Sequence, residues 1–350
     1  MSADVPPENG IALAITQIDI AADEAQFYAA VTAVRAAVAR EVRARTPEAA
    51  LAAAWSEALR HSIHASARLV TNGVNPGWAW FVSGSVARGE AAPGSDVETL
   101  LVVDDEVDAD GKTYLMETAA QVHAMLERAD IGSDANGVLA SRGRFCRRKA
   151  NWFEGIERWC ANPPEDRGVV MAGLMADSRG VDSGSLLSDN ALRSENVRCA
   201  QRHYAIRLAM LQDAVAVRAG FPSRLRIFAT QSDAVDLKVA AIDPVVKIAR
   251  WAALAAGSDA LATPDRLDAA SAAKVLDSDD ASTLRDCFTW LLRFRWRSRA
   301  AAWQDGRQLS DTVSLASLAP QERAVLRSVA REIAGIRRKL IYLSSTSSFR

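Results

Sequence analysis

Residues 78–84, Trp-Ala-Trp-Phe-Val-Ser-Gly, form a short aromatic and β-branched run that stops on a glycine. A run this apolar suits a buried strand closed by a turn, so the chain must build a sheet and cover it. Ser85 stands where it can cap a helix that begins at once. Gly84 lets the backbone approach an anion closely, and the free N–H groups at the start of such a helix attract negative charge. A triphosphate fits that turn.

Residues 96–103, Asp-Val-Glu-Thr-Leu-Leu-Val-Val, read as the next strand. Side chains two apart on a strand share a face, so Asp96 and Glu98 point together. Two ionised carboxylates that close repel unless a cation lies between them. Magnesium suits the place, because its preference for oxygen ligands matches carboxylates and phosphate together. In a two-metal site, with ions roughly 3.5–4 Å apart, one ion activates the attacking oxygen and the other steadies the leaving group. Two Mg2+ ions are therefore expected, with Asp96 bridging them.

These residues resemble a known family. Gly84-Ser85-Val-Ala-Arg88-Gly-Glu90 followed by Ser95-Asp96-Val-Glu98 is similar to the signature of the DNA polymerase β type nucleotidyltransferases, in the branch similar to bacterial PII-protein uridylyltransferases. The likeness continues through Asn136-Gly137-Val138-Leu139-Ala140, Trp152, Trp159 and Leu174-Met175-Ala176-Asp177-Ser178-Arg179. By resemblance Asp177 completes the carboxylate triad. Asp236-Leu237-Lys238, Pro244 and Ala249-Arg250 are similar to the helical substrate-binding domain that follows the catalytic domain in that branch. The resemblance covers residues 55–340. It departs at Glu98, where the family carries aspartate; the extra methylene moves the oxygens. Regulatory domains ahead of the catalytic domain are common in the branch, whereas only about seventy residues of helical pattern precede the first strand here. A sensor is expected to act in trans.

The expected fold is α+β: a small mixed β-sheet nucleotidyltransferase domain flanked by an N-terminal helical pair and a C-terminal helical bundle. Boundaries are placed at 1–71 for the N-terminal helices, 72–186 for the nucleotidyltransferase domain and 187–350 for the helical substrate-binding domain. Residues 22–45 and 47–71 carry the first two helices, with Thr46 as cap and Pro47 at the first helical position of the second. Further helices are expected at 112–129, 147–161, 189–219, 233–256, 264–276, 280–305 and 320–341, with 131–146 irregular. Val169 to Ala176 is an apolar run delivering Asp177. Gly180 to Ser188 is the linker, and the terminal Ser-Ser-Thr-Ser-Ser frays. Trp152 and Trp159, seven apart on one helix face, read as core, as do Leu284, Phe288, Leu291 and Leu292.

Composition narrows the function classes. The chain of 350 residues is 49% hydrophobic and 24% charged, with a net charge of −1, which gives no reason for nucleic-acid or membrane attraction. From Ser278 to Arg350, thirteen Lys and Arg face seven Asp and Glu, a basic lobe against an acidic remainder. That asymmetry can draw a triphosphate, though solvated helix faces account for most such arginines. The four cysteines are widely spaced, which argues against zinc and disulfides and for a reducing compartment. The first ten residues have no signal-peptide pattern and no window is apolar enough to span a bilayer, so a cytoplasmic protein is expected.

Several decoys are set aside. Glu106-Val-Asp108-Ala-Asp110-Gly111 with Glu117 nearly fits a calcium-binding EF-hand loop, but a strand precedes it and glutamate stands first. His61 and His64, three apart on a helix, lack a third ligand nearby. Neither a P-loop nor a Rossmann glycine motif is present. Lys238 and Arg250 are twelve apart, so a bend near Pro244 is needed to bring both to one ligand; Lys238 is favoured as the phosphate contact. Arg293 and Arg297 are weaker candidates.

The expected activity is transfer of a nucleoside monophosphate from a nucleoside triphosphate to an acceptor hydroxyl, with release of pyrophosphate. Asp96, Glu98 and Asp177 hold the metals; Gly84, Ser85 and Arg88 hold the phosphates; Lys238 and Arg250 add contacts from the helical domain. By resemblance the acceptor is a tyrosine of a small signalling protein of PII type; the residues themselves leave small molecules, RNA ends and other proteins open. The rival expectation is a nucleotide-binding regulatory or scaffold protein with weak catalysis, motivated by Glu98. A toxin–antitoxin nucleotidyltransferase is disfavoured by the helical C-terminal pattern.

Overall fold

The computed structural model describes residues 10–181, 186–216 and 233–345. The first elements are α1 (Gly10–Ile20), α2 (Glu24–Arg43), α3 (Glu48–Val70), β1 (Trp78–Ser83), α4 (Gly84–Ala87), β2 (Glu98–Val103), α5 (Ala109–Arg128), β3 (Cys146–Arg148), α6 (Lys149–Ala161), α7 (Gly168–Ala176) and β4 (Arg179–Gly180). There follow α8 (Ala191–Arg202), α9 (Tyr204–Ala216), β5 (Ala234–Asp236), a π-helical turn (Lys238–Ile242), α10 (Asp243–Ala255), α11 (Thr263–Ala272), α12 (Ser278–Gln304), β6 (Thr312–Ser314) and α13 (Pro320–Ser345). The class is α+β. The chain divides into two compact units, Met1–Gly155 with Asp177–Arg193, and Ile156–Ala176 with Ser194–Arg350.

In the first unit a four-stranded sheet runs in the order β3-β2-β1-β4. β1 is antiparallel to β2 and to β4, and β2 is parallel to β3, which makes the sheet mixed. Every residue of β1 is buried, as its unbroken apolar run requires. Trp152 is fully buried and donates from Nε1 to the carbonyl of Leu101 at 3.0 Å, so its polar edge is satisfied inside the core. The expected N-terminal pair is joined by a third helix, α1, which packs on both α2 and α3. Asp23 caps α2, its Oδ1 accepting from the Gln26 amide at 2.8 Å. Pro47, with φ −54° and ψ 133°, is the residue before α3; its extended ψ puts it one position earlier than the sequence suggests, and Thr46 lies outside the cap. β3 lies at the end of the stretch expected to be irregular; its ladder to β2 is the non-local contact that a three-residue strand cannot announce.

The near-EF-hand stretch is an ordinary helix entry. Asp108 caps α5 by accepting the Gly111 amide at 2.7 Å, which explains the acidic residue and the glycine without calcium.

The second unit is helical around the buried stripe Leu284, Phe288, Leu291 and Leu292 of α12. Two additions to the expected bundle appear. The helix expected at 189–219 is two, α8 and α9, separated at His203, and residues 217–219 lie outside the described residues. A two-stranded sheet pairs β5 with β6 inside a region that reads as helical. It is held by Asp311, whose carboxylate takes Nε of both Arg295 and Arg299 at 2.7 Å. Arg266, 2% exposed, donates to the carbonyl of Ala176 at 2.6 Å, and Asn196 donates to that of Ala172 at 3.0 Å, so side chains satisfy the carbonyl end of α7. The linker positions 182–185 and the tail positions 346–350 are outside the described residues. All four cysteines are free and buried. No helix among the described residues is long and apolar enough to cross a membrane.

Candidate active site

The register places Ser83 opposite Glu98, so the turn leaving β1 lies beside the carboxylate that opens β2. Gly84 adopts φ +67°, and a Cβ built on it would come within 2.8 Å of Glu98 Oε2. Left-handed backbone and this close approach both demand glycine. The sequence suggests that Gly84 serves an incoming anion; in the fold it first makes room for the protein's own carboxylate. The helix behind it is a single turn, and Ser83, not Ser85, occupies the cap position, without a side-chain cap bond. Ser85 is half-buried within that turn, and one turn aligns too few peptide dipoles to act as the helix end that the sequence suggests.

β2 begins at Glu98, two residues later than expected, and Asp96 lies in the extended segment before it. Val97 bridges to Ser133, and the alternation holds: Val97 and Thr99 are fully buried, while Asp96 and Glu98 keep some surface. Asp177 follows the last residue of α7 and is 1% exposed. The pairing of Val82 with Arg179 draws its segment to the end of β1. Arg193 Nη1 donates to the neighbouring Ser178 carbonyl at 2.5 Å.

Arg88 ties the cluster together. Its Nε donates to Glu90 Oε2 at 2.6 Å, and its Nη1 donates to Asp177 Oδ2. Burial works against the guanidinium charge, but Asp177, Glu90 and Glu98 outweigh it and hold Arg88 cationic more firmly than usual. Expected as a phosphate contact, Arg88 spends these two donors on the protein's own carboxylates, and its side chain is only 9% exposed.

Asp96, Glu98 and Asp177 are brought into one electrostatic cluster. Glu98 is pushed up to about 7, first by burial, then by the charges of Asp134 and Asp177, against the pull of Arg88, with Asp96 adding to the rise. Asp134 is the participant that sequence reasoning misses. It is 5% exposed and accepts the Val138 amide at 2.8 Å and the Asn136 amide side chain at 3.2 Å. The signal was the turn Asp134-Ala-Asn-Gly, which reads as loop chemistry alone.

The donor chemistry fits a hard divalent cation. Every anionic group of the cluster is a carboxylate, and their mutual repulsion at Glu98 is the strain that a cation relieves. Geometrically the side chains are organised around Arg88: among the described residues no three or more of His, Cys, Asp or Glu are grouped to hold an ion.

Lys238 and Arg250 belong to the second unit. Lys238 opens the π-helical turn and is exposed, and Pro244 falls in the first turn of α10, where its missing N–H is not needed. Arg250, on α10, is half-buried with Nη1 at 3.5 Å from where a Cβ on Gly173 would lie.

Residues 29–166 match the family described as "Putative nucleotidyltransferase DUF294", and residues 202–342 match its companion, "Putative nucleotidyltransferase substrate binding domain". The chain belongs to this nucleotidyltransferase family. Asp96, Glu98 and the Gly84 turn lie within the first matched stretch, and Lys238 and Arg250 within the second. Asp177 falls between the two. No curated protein matches the chain.

Proposed function

We propose that this family member transfers a nucleoside monophosphate from a nucleoside triphosphate to an acceptor hydroxyl. The acceptor oxygen forms a bond to the α-phosphorus, the bond from that phosphorus to the bridging oxygen breaks, pyrophosphate leaves, and the hydroxyl proton passes to water. The observation that carries the reading is the coupling of Glu98 to Asp96 and Asp177 beside the Gly84-Ser85 turn. Asp96, Glu98 and Asp177 would hold Mg2+, two ions in the full site, which when bound supplies the positive charge that carboxylates and polyphosphate need to coexist. Gly84 and Ser85 receive the β- and γ-phosphates. Arg88 orients Asp177 through the bond that its Nη1 donates, and Lys238 and Arg250 contribute from the substrate-binding domain. The acceptor we favour is a tyrosine hydroxyl on a small signalling protein of PII type, in a cytoplasmic setting.

Replacing Asp96 by Asn tests the reading. Pyrophosphate release with each triphosphate and a protein acceptor should fall by at least a hundredfold while the thermal melt stays in place. Undiminished release would remove the mechanism. A second reading rests on the pairing of Asp177 with Arg88 and on Glu98 in place of aspartate: a nucleotide-binding regulatory or scaffold protein. Calorimetry showing saturable triphosphate binding without pyrophosphate release would select it.

A further inference from the structure

At the end of β1 opposite Gly84, α3 and β1 border an open cleft of about 150 Å³. Its wall includes His64 and Arg68 of α3, Val74 of the connecting turn, Trp78 and Trp80 of β1, and Val181. The floor is rigid: Trp78 and Trp80 are 5% and 2% exposed and meet edge to face with ring centroids 5.5 Å apart. The rim is open, with Val74 66% exposed.

Three features of this wall point to one ligand chemistry. The first is charge. Arg68 Nη2 donates to the carbonyls of Asp19 at 3.1 Å and Ala21 at 2.5 Å, and among the described residues no carboxylate pairs with it. No described residue of the wall is acidic. The second is donor capacity. Nε of Arg68 and Nε1 of Trp80 are both buried N–H groups without an acceptor. One such group costs about 1–3 kcal/mol, so two around one cleft require a reason. The third is shape: Trp78, Trp80, Val74, Val181 and Ala67 give the cleft an apolar side, Thr71 and Asn75 complete the wall, and about 150 Å³ is large enough for a benzene ring.

We propose that the cleft is a binding site for a small organic carboxylate with an apolar body. The carboxylate meets the guanidinium of Arg68, and the body lies against Trp78, Val74 and Val181. A guanidinium bonded to carbonyls and to no carboxylate selects the anion, and the small volume excludes a nucleotide. The site is separate from the Gly84 turn by the length of six-residue β1, about 16 Å at the usual rise. It is nevertheless bonded to the segment that bears Asp177, because the Val181 amide donates to the Trp80 carbonyl at 2.8 Å.

Tryptophan fluorescence and calorimetry on the full chain, with benzoate, phenylacetate and hexanoate as probes, test this. At least one should bind saturably with a dissociation constant near or below 1 mM. Benzamide should bind at least tenfold more weakly than benzoate, and orthophosphate should not compete. R68Q should weaken the bound probe at least tenfold. V74W, at the exposed rim, should do the same without changing the melt, and carries the test if R68Q does not fold. Triphosphate binding should persist in V74W, which separates this site from the proposed active site. No saturable binding by any of the three carboxylates, equal affinity in both variants, or competition with triphosphate would overturn the proposal.

Discussion

Glu98 Oε2 reaches within 2.8 Å of the place where a side chain on Gly84 would begin, and Gly84 itself sits at φ +67°. Turn and carboxylate are therefore one structural feature, and G84A should show both parts of it. The left-handed backbone alone costs an alanine about 1–2 kcal/mol, and the contact adds to that. Urea unfolding of G84A, E98A and the double variant separates the parts. The G84A penalty should shrink in the E98A background without vanishing; an unchanged penalty would show that the contact is irrelevant.

Arg88 should be worth more to stability than its position on a one-turn helix suggests. Its removal in R88M takes the guanidinium away from two buried carboxylates, Asp177 and Glu90, so the loss should be about 3–5 kcal/mol. R88K should recover only part of it, because an ammonium cannot bond two carboxylates through a fixed fork. Denaturation midpoints at constant pH measure this, and R88M within about 1 kcal/mol of the wild type would refute the counter-charge role.

His123 should make the fold acid-sensitive. It is 5% exposed, and burial holds its imidazole down at about 4, with Glu127 opposing. Thr99 Oγ1 accepts the Ala140 amide at 3.0 Å and stands 3.0 Å from His123 Nε2, which ties the ring into the buried interior. The folded value lies below the ordinary one near 6.5, so the unfolded chain binds the extra proton. The contribution is complete above about pH 6.5, is lost as pH falls toward 4, and amounts to about 3 kcal/mol at most. Unfolding free energies at pH 7 and pH 5 should converge in H123Q relative to the wild type. Because paired carboxylates also destabilise at low pH, the difference between the two proteins is the diagnostic.

Much of this fold was legible because long-range order coincided with local pattern. The unbroken run of β1 could only be a buried strand, and alternation around Val97 placed Asp96 and Glu98 on one face whatever the strand's boundary. The misses share a cause. β3, β4 and the β5–β6 pair are two or three residues long, so they are defined by ladders to distant segments and not by propensity. Asp134 was hidden because its local role, satisfying a turn, masks its proximity to Glu98. Arg88 was read for its charge, whereas burial between two carboxylates decides what that charge is used for.

Asp311 offers a test in the second unit. Its carboxylate is shared by Arg295 and Arg299, whose side chains are 7% and 9% exposed, and its carbonyl accepts the Leu237 amide at 2.9 Å, next to Lys238. Burial opposes its ionisation, but the bonds and charges of the two arginines win and hold it below the ordinary aspartate range. The stabilisation is therefore present above pH 4 and is lost as pH falls through the folded value. D311N keeps the shape and removes the charge, leaving two buried guanidinium groups facing a neutral amide. A loss of about 3–5 kcal/mol is expected, together with faster amide exchange at Val235 and Val313, paired in β5–β6. Hydrogen exchange by mass spectrometry reads both the local loosening and its extent. Protection unchanged in D311N would mean that the backbone ladder, and not the shared carboxylate, holds the strand leading to Lys238.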